Sequence, residues 1–120
     1  MRTLLPMLAF VCAATVASSV AAHAFLDHAS PAVGSTVHAP PSQVKLWFTQ
    51  KLEPAFSAAQ VSDSTGKRVD RADARVDDSD ATVLLVSVPQ LAPGRYRVSW
   101  RVLSVDTHVT EGDYSFDVSR

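Results

Sequence analysis

Sulfur is nearly missing from this chain of 120 residues. Its one cysteine is Cys12, and its two methionines are Met1 and Met7. If the first residues are removed on export, neither a disulfide nor a sulfur ligand remains. That excludes a disulfide-stapled scaffold and a soft-ligand metal site, and leaves the fold to rest on its hydrophobic core. An excess of one charge is missing too. The formal net charge is -1, which offers no basic surface for nucleic acid and no polybasic membrane patch. Helical periodicity, internal repeats and low-complexity segments are absent after the N-terminal run.

That run is the first positive signal. Met1 to Ala22 carries Arg2, then a mostly apolar stretch from Leu4 to Val16, then small residues. This is the order of a secretory signal peptide, and the stretch is too short for a transmembrane anchor. Val11 before Cys12 does not suit a lipoprotein. The expected division is 1–22 as a cleaved signal peptide and 23–120 as one exported domain. Two cuts fit the small-x-small rule. One after Ala22 leaves His23 first, and one after Ala24 leaves Phe25 first. An N-terminal His23 would offer a free amine, which ordinarily titrates near about pH 8, and its own Nδ1, which together close a chelate ring on a metal ion.

The rest of the chain alternates in short bursts. Ala24 to Pro31 reads as a short extended segment. Gln43 to Thr49 reads as a strand with Val44, Leu46 and Phe48 inward, and Trp47 outward, packed under a loop. Phe56 to Ser62 reads as a further strand, followed by a turn through Gly66. The charged stretch Arg68 to Asp80 reads as a solvated edge and loop. Asp77, Asp78 and Asp80 lack the spacing, glycine and terminal glutamate of a calcium loop. Thr82 to Val88 is an apolar run of strand length. Tyr96, Val98, Trp100 and Val102 share one face of a strand, and Tyr114, Phe116 and Val118 share one face of another. Leu91 to Tyr96 resembles the corner of immunoglobulin-like sandwiches, in which a tyrosine hydroxyl bonds back to the backbone. Strands and turns at intervals of about 8–12 residues predict an all-β fold, a small Greek-key sandwich or barrel of immunoglobulin-like or cupredoxin-like type.

Asp106 and His108 follow the tyrosine-led strand. Read as extended backbone, the i, i+2 spacing puts both side chains on one face. With the amine and Nδ1 of His23 they supply three nitrogens and one oxygen. That set suits Cu(II) in a tetragonal plane, although zinc also uses His and Asp. Cu(I) is disfavoured without sulfur. Alone, Asp106-Thr107-His108 would read as a polar loop. His28 and His38 read as surface residues, with His28 a spare ligand at most, and Glu53 and Glu111 as surface acids.

With these residues in place, the chain resembles the CopC copper-resistance family. The likeness lies in the His23-Ala24 start, Ser30-Pro31-Ala32-x-Gly34-Ser35, Leu46-x-Phe48-Thr49, Phe56-Ser57, Leu91-Ala92-Pro93-Gly94-x-Tyr96, and above all Tyr96-Arg97-Val98-Ser99-Trp100-Arg101-x-x-Ser104-x-Asp106-Thr107-His108 with Gly112 and Ser115-Phe116. The resemblance implies a periplasmic protein that binds one Cu(II) per chain through His23, Asp106 and His108. It also implies carriage, buffering or resistance, with copper held for or passed to a partner such as an inner-membrane copper transport protein. Many members have Phe-Ser-Glu where this chain has Phe48-Thr49-Gln50; if that Glu supports the copper site, Gln50 keeps a hydrogen-bonding group but loses the charge. A methionine-rich Cu(I) site has no residues here.

The expectation is a monomeric binding protein, not an enzyme. Two other readings compete. An N-terminal His with a second imidazole resembles the histidine brace of copper oxidoreductases, although Asp106 would fill a position such enzymes leave open. The sandwich could equally serve as a metal-free interaction module.

Overall fold

The computed structural model describes residues 23–120. The leader reading for residues 1–22, with Cys12 and both methionines, lies outside the described residues.

Eight strands form two four-stranded sheets: β1 (Leu26–Ser30), β2 (Thr36–Val37), β3 (Gln43–Phe48), β4 (Ala58–Asp63), β5 (Arg75–Asp77), β6 (Asp80–Ser87), β7 (Gly94–Leu103) and β8 (Val109–Val118). One sheet runs β1-β3-β6-β5 and the other β2-β8-β7-β4. Every pairing is antiparallel except β2 with β8. The only helical piece among the described residues is a single 3-10 turn at Pro54–Phe56. The expected all-β sandwich is what the chain forms.

Each sheet buries one face, so the alternation read from the sequence becomes the core. Val44, Leu46 and Phe48 of β3 meet Val61 of β4, Leu84 and Val86 of β6, Val98 and Val102 of β7, and Phe116 and Val118 of β8. Full burial of side chains of this size stabilises the fold by about 1.5–3 kcal/mol each. The tyrosine corner is present, with the Tyr96 hydroxyl donating to the Ala92 carbonyl at 2.6 Å. The Tyr114 hydroxyl donates to the Pro31 carbonyl at 2.8 Å and so ties β8 to the end of β1. Burial pushes the Tyr114 hydroxyl pKa well above its usual value.

The charged stretch is a solvated edge, as expected. Arg75–Asp77 is the short outer strand β5. Asp70 is the exception: along the edge of β4 its buried carboxylate gathers the Arg68 guanidinium and the amides of Val61 and Ala72, all at 2.8–2.9 Å.

Three expectations need correction. The strand placed at Phe56 to Ser62 begins two residues later, because Pro54 starts a 3-10 turn that leaves Phe56 exposed. Trp47 does not lie under a loop. It stands on the outer sheet face, with the His28 ring stacked on it at 4.2 Å and Lys45 Nζ 4.7 Å from its ring centre. Finally, Asp106 and His108 are not on extended backbone. They sit in the turn joining β7 to β8, where Thr107 takes φ 72°.

Candidate metal centre

β7 and β8 pair as far as Leu103 and Val109. The five residues between them close a compact turn. Ser104 N donates to the His108 carbonyl at 3.0 Å, and Thr107 N to the Ser104 carbonyl at 2.9 Å. Ser104 is fully buried, and its hydroxyl lies against both the His108 carbonyl, at 3.2 Å, and Asp106 Oδ1. The loop also leans on the preceding connector, since Val105 N donates to the Lys51 carbonyl at 3.0 Å. Proximity of Asp106 and His108 therefore comes from the turn and its serine rather than from strand alternation. Asp106 Oδ1 ends 3.4 Å from His108 Nδ1, with both side chains about two-fifths exposed, 39% and 40%. The Ser104 hydroxyl holds the Asp106 carboxyl below the usual carboxylate range. Burial opposes this, and His108 adds to it.

His23 arrives from the other end of the sequence. Its ring meets that of His108 nearly at right angles, 83°, with centres 4.7 Å apart. Phe25, exposed, stands edge-on to His23 at 5.9 Å. The Nδ1 atoms of His23 and His108 are both buried and both lack a hydrogen-bond partner. At 3.4 Å, the Asp106 contact with His108 does not meet the geometry of a hydrogen bond. A buried nitrogen left unpaired costs about 1–3 kcal/mol. Two of them on touching rings carry a standing cost, which an electron-pair acceptor bound to those nitrogens would remove.

The three sequence-predicted ligands are thus brought to one end of the sandwich, but not into a closed cluster. Among the described residues no three His, Cys, Asp or Glu side chains are placed to hold a metal by themselves. In the full-length chain the backbone nitrogen of His23 is a peptide nitrogen, so one expected donor exists only after cleavage. Gln50 is half-buried in the connector after β3, and its amide is not among the buried groups left unpaired. His28 is turned away from the site, stacked on Trp47 with its Nδ1 2.6 Å from Asp27. His38 sits beside Ser119. Glu111 pairs with Arg101 on the outer face of β7 and β8.

A family model described as the CopC domain matches residues 26–119. The chain belongs to the CopC family. The matched segment includes Asp106 and His108 and begins three residues after His23. Protein YobA of Escherichia coli K12 is 36% identical over 118 residues, covering 98% of this chain and 95% of its own. The copper resistance protein C of Xanthomonas campestris pv. juglandis is 32% identical over 123 residues, covering 98% and 96%. The crystal structure of CopC from Methylosinus trichosporium OB3b superposes with a TM-score of 0.76 at 43% identity, over 81% of this chain and 94% of that one.

Ligand reasoning from the sequence missed the residues that hold these side chains in place. Ser104 fixes the turn. Thr49 and Thr110 grip the segment that carries His23. Serine and threonine hydroxyls have no spacing signature of their own, although Thr49 and Ser104 both fall inside the segments that resemble the CopC family.

Proposed function

We propose that this protein binds one Cu(II) in the periplasm through His23, Asp106 and His108, and carries or buffers copper that it holds for, or passes to, a membrane partner. The observation that supports this most is the pair of unpartnered, buried Nδ1 atoms on the facing rings of His23 and His108. Imidazole nitrogens without a hydrogen-bond partner suit a metal ion, and Asp106, 3.4 Å from His108 Nδ1, adds a hard oxygen. Cleavage after Ala22 would add the His23 amine. Three nitrogens and one oxygen favour Cu(II) over softer-ligand states, and copper(II) stands above zinc in general affinity. A relative covered at 96% of its length is named a copper resistance protein. With Asp106 occupying a coordination position, the site suits holding a cargo ion better than oxygen chemistry. A metal-free module would give the two orphaned nitrogens no purpose.

The test is the intact mass of the exported protein together with a Cu(II) titration of the same sample. The expected result is a chain beginning at His23 that takes up one copper, with His108→Ala weakening uptake by at least about 100-fold, more than is typical for loss of an outer partner. A chain beginning at Phe25, or uptake indifferent to His108→Ala, would overturn the proposal.

A further inference from the structure

We infer that Thr49 and Thr110 are positioning residues that clamp the chain at His23 to Phe25 and thereby set the angle between the two imidazoles; this rests on the metal-centre reading above. The three residues precede β1, whose first ladder pair is Leu26 with Phe48. Without other restraints such a leading segment frays. Here it is gripped from both sheets. Thr49, just past the end of β3, accepts a hydrogen bond on Oγ1 from the Phe25 amide at 3.0 Å. The same hydroxyl donates to the His23 carbonyl at 3.2 Å. The Thr49 amide donates to the Phe25 carbonyl at 2.9 Å. From the opposite sheet, Thr110 Oγ1 donates to the Ala24 carbonyl at 2.7 Å. Between the two threonines the Ala24 methyl is fully buried, which fixes the rotation of the segment about its own axis.

The position of Thr110 matters most. It lies near the start of β8, two residues after His108, so its bond to Ala24 ties the backbone next to one imidazole to the strand that begins just after the other. The T-shaped approach of the rings then depends on two hydroxyls. Thr49 must be donor and acceptor at once. Serine can replace it and valine cannot, although valine keeps the shape. Loss of a group that orients metal ligands typically costs about 10–100-fold in affinity.

The test compares Thr49→Val and Thr110→Val with Thr49→Ser and Thr110→Ser in the exported protein. Cu(II) affinity is measured by competition titration, the copper environment by electron paramagnetic resonance, and the metal-free state by exchange of the Phe25 amide and by cross-relaxation between the His23 and His108 rings. The valine variants should raise Kd about 10–100-fold, alter the resonance spectrum, lose the ring-to-ring signal and, for Thr49→Val, expose the Phe25 amide to exchange. The serine variants should restore all four. A merely stabilising role would lower the melting temperature and leave the spectrum of bound copper unchanged. Thr49 is exposed, so its variants carry the test if Thr110→Val does not fold. Wild-type uptake with unaltered valine variants overturns the clamp alone. No uptake by wild type overturns the metal centre and the clamp with it.

Discussion

Replacing Gly112 with alanine should destabilise this protein through a single ring. Gly112 lies opposite Trp100 in the β7–β8 ladder. A Cβ at Gly112 would stand 2.3 Å from Trp100 Cζ2, 2.8 Å from Cε2 and 3.0 Å from Cη2. Carbon atoms in good contact are about 3.5–4.0 Å apart, so the methyl would overlap a rigid ring by more than about 1 Å. The indole cannot swing away freely. It meets Phe48 edge-on at 6.0 Å and lies 6.3 Å from Tyr114. Losing a glycine from the unfolded chain returns about 0.4–1 kcal/mol, but overpacking costs about 1–3 kcal/mol and often more when neighbours must move. The net expectation is a loss of about 1–2 kcal/mol from these two ranges. For a domain of about 100 residues this lowers the melting temperature by roughly 4–15 °C. Thermal unfolding followed by circular dichroism reads the loss, and the near-ultraviolet tryptophan band reads the displaced ring. Trp100→Phe in the same chain should recover part of the stability. A Gly112→Ala protein that melts within about 2 °C of wild type with an unchanged tryptophan band would refute the reasoning.

Two further outcomes follow from other sites. The Asp70 side chain has no exposed area. Burial alone would raise its carboxyl, but Arg68 and the amides of Val61 and Ala72 outweigh burial and hold it below the usual range. A depressed folded value means that the stabilisation is complete above the unfolded pKa of about 3.9 and is lost as pH falls through the folded value. Asp70→Asn should therefore cost about 1–3 kcal/mol at neutral pH and flatten the acid limb of the stability curve in urea titrations; an unaltered limb would assign that limb to other carboxyls. At the candidate metal centre, Gln50→Glu should tighten Cu(II) binding if a carboxylate at this position orients the ligands, and an equal Kd in competition titration would remove Gln50 from the site.

Most of the sandwich was readable because its strands are half-buried. In β3, in β7 from Tyr96 and in β8 from Tyr114 each inward residue is apolar and most outward ones are polar, so a period of two survives in the sequence. β2 was not readable. Two residues pairing in parallel with β8 carry no period. The start of β4 is not legible, because Phe56 has the character of a strand residue while Pro54 commits the chain to a turn. At the candidate site, donor chemistry singles out His23, Asp106 and His108 in the sequence, but the backbone joining the last two is a turn and not the extended stretch their spacing suggests. Alternation cannot reveal a positive φ at Thr107, a non-glycine residue. The outward Trp47 found its partner in His28, across a bulge between Leu26 and His28 that no local pattern announces.

The two facing rings come from residues 23 and 108, near opposite ends of the described chain, and they meet only when strands from both sheets have closed. An unfolded chain holds the same donors too far apart to act together. Any ion that needs both rings is therefore bound by the folded form and hardly at all by the unfolded one, so occupancy and folding are a single linked equilibrium. At a free ion concentration about 100 times Kd, that linkage adds about 2.7 kcal/mol to stability. A protein that binds an ion in this way would be hardest to unfold, and hardest to degrade, when the ion is bound, and its lifetime would follow its load.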